Sequence, residues 1–161
     1  IEQGILDLGL LVEPVDISMY EFVRMRQREE WGILVHRSSP LSRLEAVRPE
    51  DLSGQSMMTT MDSPIFRELV SWMGGRIEPS QISGTYNLLY NAAMIARKSG
   101  VPVMCLRLNC HYDDLVFIPM RPKLELGSVL AWKEHQPSSP SVGAFIEFAK
   151  KYRNRISDDK I

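Results

Sequence analysis

Hydroxyl side chains at two strand-to-helix junctions are the groups in this chain best spaced for chemistry. In SMMTTMDSPIFRELVSWMGG, residues 56–75, Thr59, Thr60, Met61 and Ser63 separate a short apolar run from an amphipathic helix. Strand, polar turn and helix N-terminus in that order set free backbone N–H groups and the positive dipole end beside donor hydroxyls. Such a corner holds an anion, for example a carboxylate. The same residues also suit a plain capped helix, with Ser63 as N-cap and Pro64 at N1, and spacing alone leaves both readings standing. SGTYN, residues 83–87, repeats the form: Ser83, Thr85, Tyr86 and Asn87 lie between a strand and a helix beginning near Asn87. Here too the competing reading is structural, with Thr85 or Asn87 as the cap and Tyr86 covering the core.

Other chemical groupings are weaker. NCHYDD, residues 109–114, gathers a thiol, an imidazole and two carboxylates, but neighbours in an extended loop point apart. Without a second ligand pair at metal spacing it reads as a polar surface loop, so no metal and no cofactor are expected. His36, His111 and His135 accompany no Gly-x-Ser-x-Gly elbow and no Cys–His signature. Gly74–Gly75 ends a helix rather than opening a phosphate loop. Asp62 is the acid or base nearest the first junction.

The elements that must position these groups follow from apolar periodicity. Residues 5–12 read as a buried strand in a parallel sheet, Trp31–Val35 as a second buried strand ending at Ser38, Ser39 and Pro40, and 57–60 as a third. RPEDLSG reads as one helical turn closed by Gly54. Ile65, Phe66, Leu69, Val70 and Met73 give a helix, and a strand is expected around 77–82. Leu88, Leu89, Ala92, Ala93, Ile95 and Ala96 give the apolar face of a second helix, stopped at Gly100. Strands at 101–108, 115–119 and 126–132 follow. The last helix has Ser139 as cap, Pro140 at N1 and Val142, Phe145, Ile146 and Ala149 as its stripe. The alternation predicts α/β with a mainly parallel sheet, whose ligand sites lie at the carboxyl ends of strands.

Composition agrees with a core of ordinary size: 161 residues, 44% hydrophobic and 24% charged. The apolar runs are too short to cross a bilayer. With 19 basic and 20 acidic residues the net charge of −1 neither draws nor repels nucleic acid. Cys105 and Cys110 are too few for a disulfide scaffold, which points to a reducing, cytoplasmic setting. The chain opens on Ile1 without the features of a secretory signal and reads as a fragment or a processed chain.

The succession LDLGLL, WGILVHRSSPL, PEDLSG, SMMTT, YNLLYNAAMIARKSGV, FIPMRPKLE, VLAWK and PSVGAFIEFAKKY resembles the effector-binding domain of LysR-type transcriptional regulators over nearly the whole chain. The resemblance implies a fold like the type 2 periplasmic binding proteins: two α/β lobes with a small effector in the cleft. Residues 1–16 would be the last strand of lobe one and the first hinge. Residues 17–132 would be lobe two, and 133–161 the second hinge with a C-terminal helix returning to lobe one. By the same resemblance the effector contacts are Thr59, Thr60, Met61, Ser63, Tyr86 and Asn87. It implies no catalysis, a homodimer or homotetramer, and DNA binding only through a helix-turn-helix outside this chain, as are the first strand and helix of lobe one. A free-standing solute-binding protein and a dehydratase-like enzyme using Asp62 are the alternatives on the same fold. Pro102 stands where the family often has glycine, so the loop after Gly100 should differ in shape.

Overall fold

The computed structural model describes residues 1–60, 64–75, 77–108, 110–134 and 139–158, with backbone only for 153–158. It divides into two compact units, one of residues 1–28 with 126–161 and one of residues 29–125.

The larger unit is built on strands β3 (Glu29–His36), β4 (Met57–Thr60), β5 (Ile82–Tyr86), β6 (Val103–Leu106) and β7 (Leu115–Pro119) in the order β5-β4-β6-β3-β7. Helices α1 (Pro64–Trp72) and α2 (Leu89–Ser99) follow β4 and β5. β4 pairs parallel with β5 and β6, whereas β3 pairs antiparallel with β6 and β7. The mixed α/β architecture is as expected, with more antiparallel pairing than the sequence suggested. Alternation sorts the side chains. Leu34, Met58, Val103, Cys105 and Leu115 pack with Ala92, Ala93 and Ala96 of α2, while Trp31, Ile33, Met57 and Met104 are buried on the other face. Gly32 has no alternative, because a Cβ there would collide with the Ile118 carbonyl and the Phe117 ring.

Local signals act as their chemistry requires. Ser39 Oγ accepts from the Leu41 N–H (3.3 Å) and opens a 3-10 turn over Pro40–Arg43. A second turn, Pro49–Leu52, is fixed by the Arg48 N–H donating to Asp51 (2.8 Å) and ends near Gly54 at φ 73°. α1 stops at Gly74 and Gly75, with φ 77° and 80°, and α2 at Gly100, with φ 75°. The strand expected around 77–82 begins only at Ile82, because Pro79–Gln81 forms a 3-10 turn in which the Glu78 N–H donates to Gln81 Oε1 (2.9 Å). On α2 the apolar face is narrower than expected: Leu88 and Ile95 point to solvent and the three alanines carry the packing.

The smaller unit holds β1 (Leu8–Val12), β2 (Tyr20–Arg24) and β9 (Ser128–Lys133), all antiparallel in the order β1-β9-β2, with α3 (Pro140–Asp158). β8 (Glu125–Leu126) is a two-residue strand at the junction of the two units. The expectation of a doubly covered parallel strand at 5–12 is corrected. Among the described residues β1 has β9 alone beside it, Ile5 and Leu6 lie outside the strand, and Leu10 is 62% exposed. Ser139 Oγ accepts from the Val142 N–H (3.3 Å) as a cap should, and Ile146 packs with Val23 and Trp132. Phe145, expected in the stripe, is about half exposed. The Trp132 indole N–H donates to Glu21 (2.9 Å) and the Lys150 ammonium lies 5.3 Å from the Trp132 ring centre.

Candidate functional site

Both hydroxyl-bearing junctions fall at one edge of the larger sheet, because β4 and β5 run parallel and in register there: Thr59 pairs with Thr85 and Thr60 with Tyr86. Met61, Asp62 and Ser63 lie outside the described residues. Alternation sends the two threonines apart. Thr60 shares its face with Met58 and Tyr86, and through them with α2, whereas Thr59 faces the opposite side with Met57 and is wholly buried. Both Oγ1 atoms are shielded from solvent and have no hydrogen-bond partner among the described residues. A buried hydroxyl without a partner costs about 1–3 kcal/mol, and among the described residues neither donor finds an acceptor.

Tyr86 is differently engaged. Its hydroxyl donates to the Met104 carbonyl (2.7 Å), and burial pushes its pKa well above the usual phenol range, so it stays neutral. That bond ties the end of β5 across β4 to β6. Asn87 is exposed. α2 begins two residues later, its N-cap is Leu88, and no side chain caps it. The structural alternative, in which Thr85 or Asn87 caps α2, is therefore overturned, and the first N–H groups of the helix lack a side-chain acceptor.

One further buried polar atom escaped the sequence reading. The Trp31 indole N–H, at the start of β3, is shielded and without a partner among the described residues. Trp31 pairs with Leu106 and Ile33 with Met104, which places Trp31 on the same sheet face as Thr59 and toward the same edge. No spacing rule marks a tryptophan in an apolar strand as unsatisfied.

Elsewhere the polar clusters are structural. Arg97 of α2 reaches Asp113 (3.9 Å) and Asp114 (3.1 Å), pinning the NCHYDD loop where Asp114 turns at φ 62°. His111 is exposed, 3.7 Å from Asp113, and Asn109 lies outside the described residues. Among the described residues no group of His, Cys, Asp and Glu could hold a metal. Both cysteines are free thiols, and burial pushes that of Cys105 up to about 12. His36 sits at the opposite sheet edge with Nδ1 2.7 Å from Ser38 Oγ, and His135 is outside the described residues. No helix among the described residues is long and apolar enough to cross a membrane.

Comparison with known proteins decides the family. The family model of the LysR substrate binding domain matches residues 1–154. The chain belongs to that family. Among solved structures, the effector-binding domain of QuiR in complex with shikimate superposes on this LysR substrate-binding domain with a TM-score of 0.77 at 18% identity, covering 96% of this chain and 75% of that one. HinK, a LysR family regulator from Pseudomonas aeruginosa, gives 0.71 at 17% identity over 94% of this chain and 55% of its own. Full-length CbnR complexed with its target DNA gives 0.67 at 13% identity over 93% and 54%. This LysR domain thus spans about half the length of the full regulators it resembles. No curated protein sequence matches it.

Proposed function

We propose that this domain senses a small anionic metabolite for a LysR-like DNA-binding transcription regulator, and that Thr60 is its leading contact. The observation that carries the reading is the Thr60 hydroxyl, buried and without an acceptor among the described residues, at the carboxyl edge of β4. Thr60 is less buried than Thr59, which makes it the more reachable of the two donors. An effector carboxylate accepting that hydroxyl would also meet the free N–H groups at the start of α2. Thr59 supports from the other face, Tyr86 positions the edge through Met104, and Met61, Ser63 and Asn87 complete the expected contacts.

Signalling follows from binding one arrangement of the regulator better than another, since a ligand shifts an equilibrium only by its differential affinity. The working protein is proposed as a cytoplasmic homo-oligomer that binds DNA through a helix-turn-helix outside these residues, with no cofactor and no catalytic step. Neither a free-standing solute binder nor a dehydratase-like enzyme has an observation of its own in its favour. Calorimetric titration with shikimate and a panel of small carboxylates tests the proposal. At least one carboxylate should bind, and Thr60→Val should weaken it about tenfold, the worth of one hydrogen bond to a charged group. Binding that ignores Thr60→Val would refute the assignment.

A further inference from the structure

We propose that the open apolar groove of the smaller unit pairs this chain with a second copy of itself, through α3 and the sheet face beside it. This gives the homo-oligomer proposed above a self-pairing face and rests on that part of the reading alone, since carboxylate binding at Thr60 stands or falls separately. α3 carries two apolar stripes, where covering one sheet face needs one. Val142 and Ile146 form the first and pack with Val23 and Trp132. Phe145, Phe148 and Tyr152 form the second, at steps of three and four residues, and each is about half exposed or more. The Phe148 and Tyr152 rings stack with their centres 5.8 Å apart. Beside this second stripe the sheet is open. Leu10 pairs with Leu130 and Leu130 with Val23, so one apolar row crosses all three strands. Val23 is buried at the α3 end of that row, while Leu10 at the β1 edge stays largely exposed. A groove of about 550 Å³ lies between the row and the three rings.

Area and symmetry favour a second copy as the occupant. An aromatic side chain offers about 150–250 Å², so the exposed parts of the three rings with Leu10 present roughly 300–400 Å² of contiguous apolar surface. A patch of that size marks an interaction face. It is about half of the roughly 800 Å² that each partner of a standard interface covers, which fits a weak dimer. The row is also nearly its own mirror along the helix, with a ring three residues before Phe148 and another four residues after it. A two-fold axis at Phe148 would therefore lay two α3 helices antiparallel, Phe148 against Phe148 and Phe145 against Tyr152, as an isologous contact requires. Charge does not oppose the pairing. The chain carries only −1 net, and Arg24 at the groove rim is neutralised by Glu13 (3.0 Å).

Sedimentation equilibrium of the 161-residue chain from about 5 to 500 µM tests this. The mass should rise from monomer to dimer with a dissociation constant on the order of 100 µM, the scale of a small interface. In the low micromolar range of an unfolding experiment the chain should be monomeric. Leu10→Glu and Phe148→Glu, both at exposed positions and checked for folding by circular dichroism, should each hold the chain monomeric across the whole range. Ile95→Glu, on the exposed side of α2 in the larger unit, should leave the dimer intact. A dimer that survives Leu10→Glu and Phe148→Glu, or is lost with Ile95→Glu, would keep the homo-oligomer and overturn this face. A wild-type monomer at 500 µM would overturn the proposal outright, and saturable binding of anilinonaphthalene sulfonate by that monomer would give the groove to a small apolar molecule instead.

Discussion

The two units of this domain manage their apolar residues in opposite ways. Residues 29–125 bury Trp31, Ile33, Val35, Leu52, Met57, Leu69 and Met104 almost completely around a five-strand path with helices following two of its strands. In the unit of residues 1–28 and 126–161, Ile5, Leu6, Leu10, Met19, Phe145, Phe148 and Tyr152 are between 49% and 78% exposed. Three antiparallel strands with one helix give the smaller unit little surface on which to bury side chains of this size. Stability should therefore reside in the larger unit, and the polar atoms that unit leaves without partners are the more informative for it.

The largest expected effect breaks this comparison directly. Ile33→Ala, in the middle of β3 and fully buried, should destabilise by about 2–5 kcal/mol in urea unfolding. Phe148→Ala, on the exposed side of α3, should stay within about 0.5 kcal/mol. Equal losses would mean that the smaller unit carries a core of its own weight.

Next in size are the threonines, which sharpen the contrast inside the larger unit. Thr59→Val replaces a buried hydroxyl that has no partner among the described residues with a methyl of the same shape; it should be neutral or stabilise by about 1 kcal/mol, and weaken carboxylate binding less than Thr60→Val does. Thr60→Val should also leave stability intact while weakening carboxylate binding about tenfold. A stability loss in both with unchanged binding would make the pair ordinary strand residues.

Smaller still is Gly100→Ala, which places a Cβ at φ 75° and should cost about 1 kcal/mol by loss of the left-handed cap of α2. The smallest effect separates the thiols. With its pKa raised to about 12 by burial, Cys105 holds almost no thiolate at pH 8 and should resist iodoacetamide, whereas exposed Cys110 should react. Stability should not change on labelling Cys110.

Sequence legibility followed burial. β3 and β4 were read nearly to the residue because their runs are buried on both faces and bounded by strong turn formers, Pro40 on one side and Gly54 on the other. The helix starting at Pro64 and the cap at Ser139 were equally plain, since proline and hydroxyl oxygens act locally. For β1 the apolar run of eight residues predicts a parallel strand covered on both faces, but such a run carries no record of strand direction or of the layers beside it, and β1 is antiparallel with Leu10 exposed. Pro79 announced the 3-10 turn before β5, but the apolar Ile77 and Ile82 on either side masked it.

At the candidate site, residue types were legible and their directions were not. Thr59 and Thr60 are adjacent in sequence and look alike, yet the pleat sends them to opposite faces, which only the pairing with Thr85 and Tyr86 fixes. The family resemblance implies Tyr86 as a contact, and its hydroxyl is held by Met104, a partner 18 residues away.

The central claim is that the carboxyl edge of the larger sheet, through Thr60, takes a small anion. Its most direct test is an amide-shift titration of the ¹⁵N-labelled chain with a panel of small carboxylates, run beside Thr60→Val. The account predicts saturable shifts at Thr60, Tyr86, Asn87 and the first turn of α2 that shrink in the variant. Saturable carboxylate binding that bypasses those residues and is unchanged by Thr60→Val would contradict it.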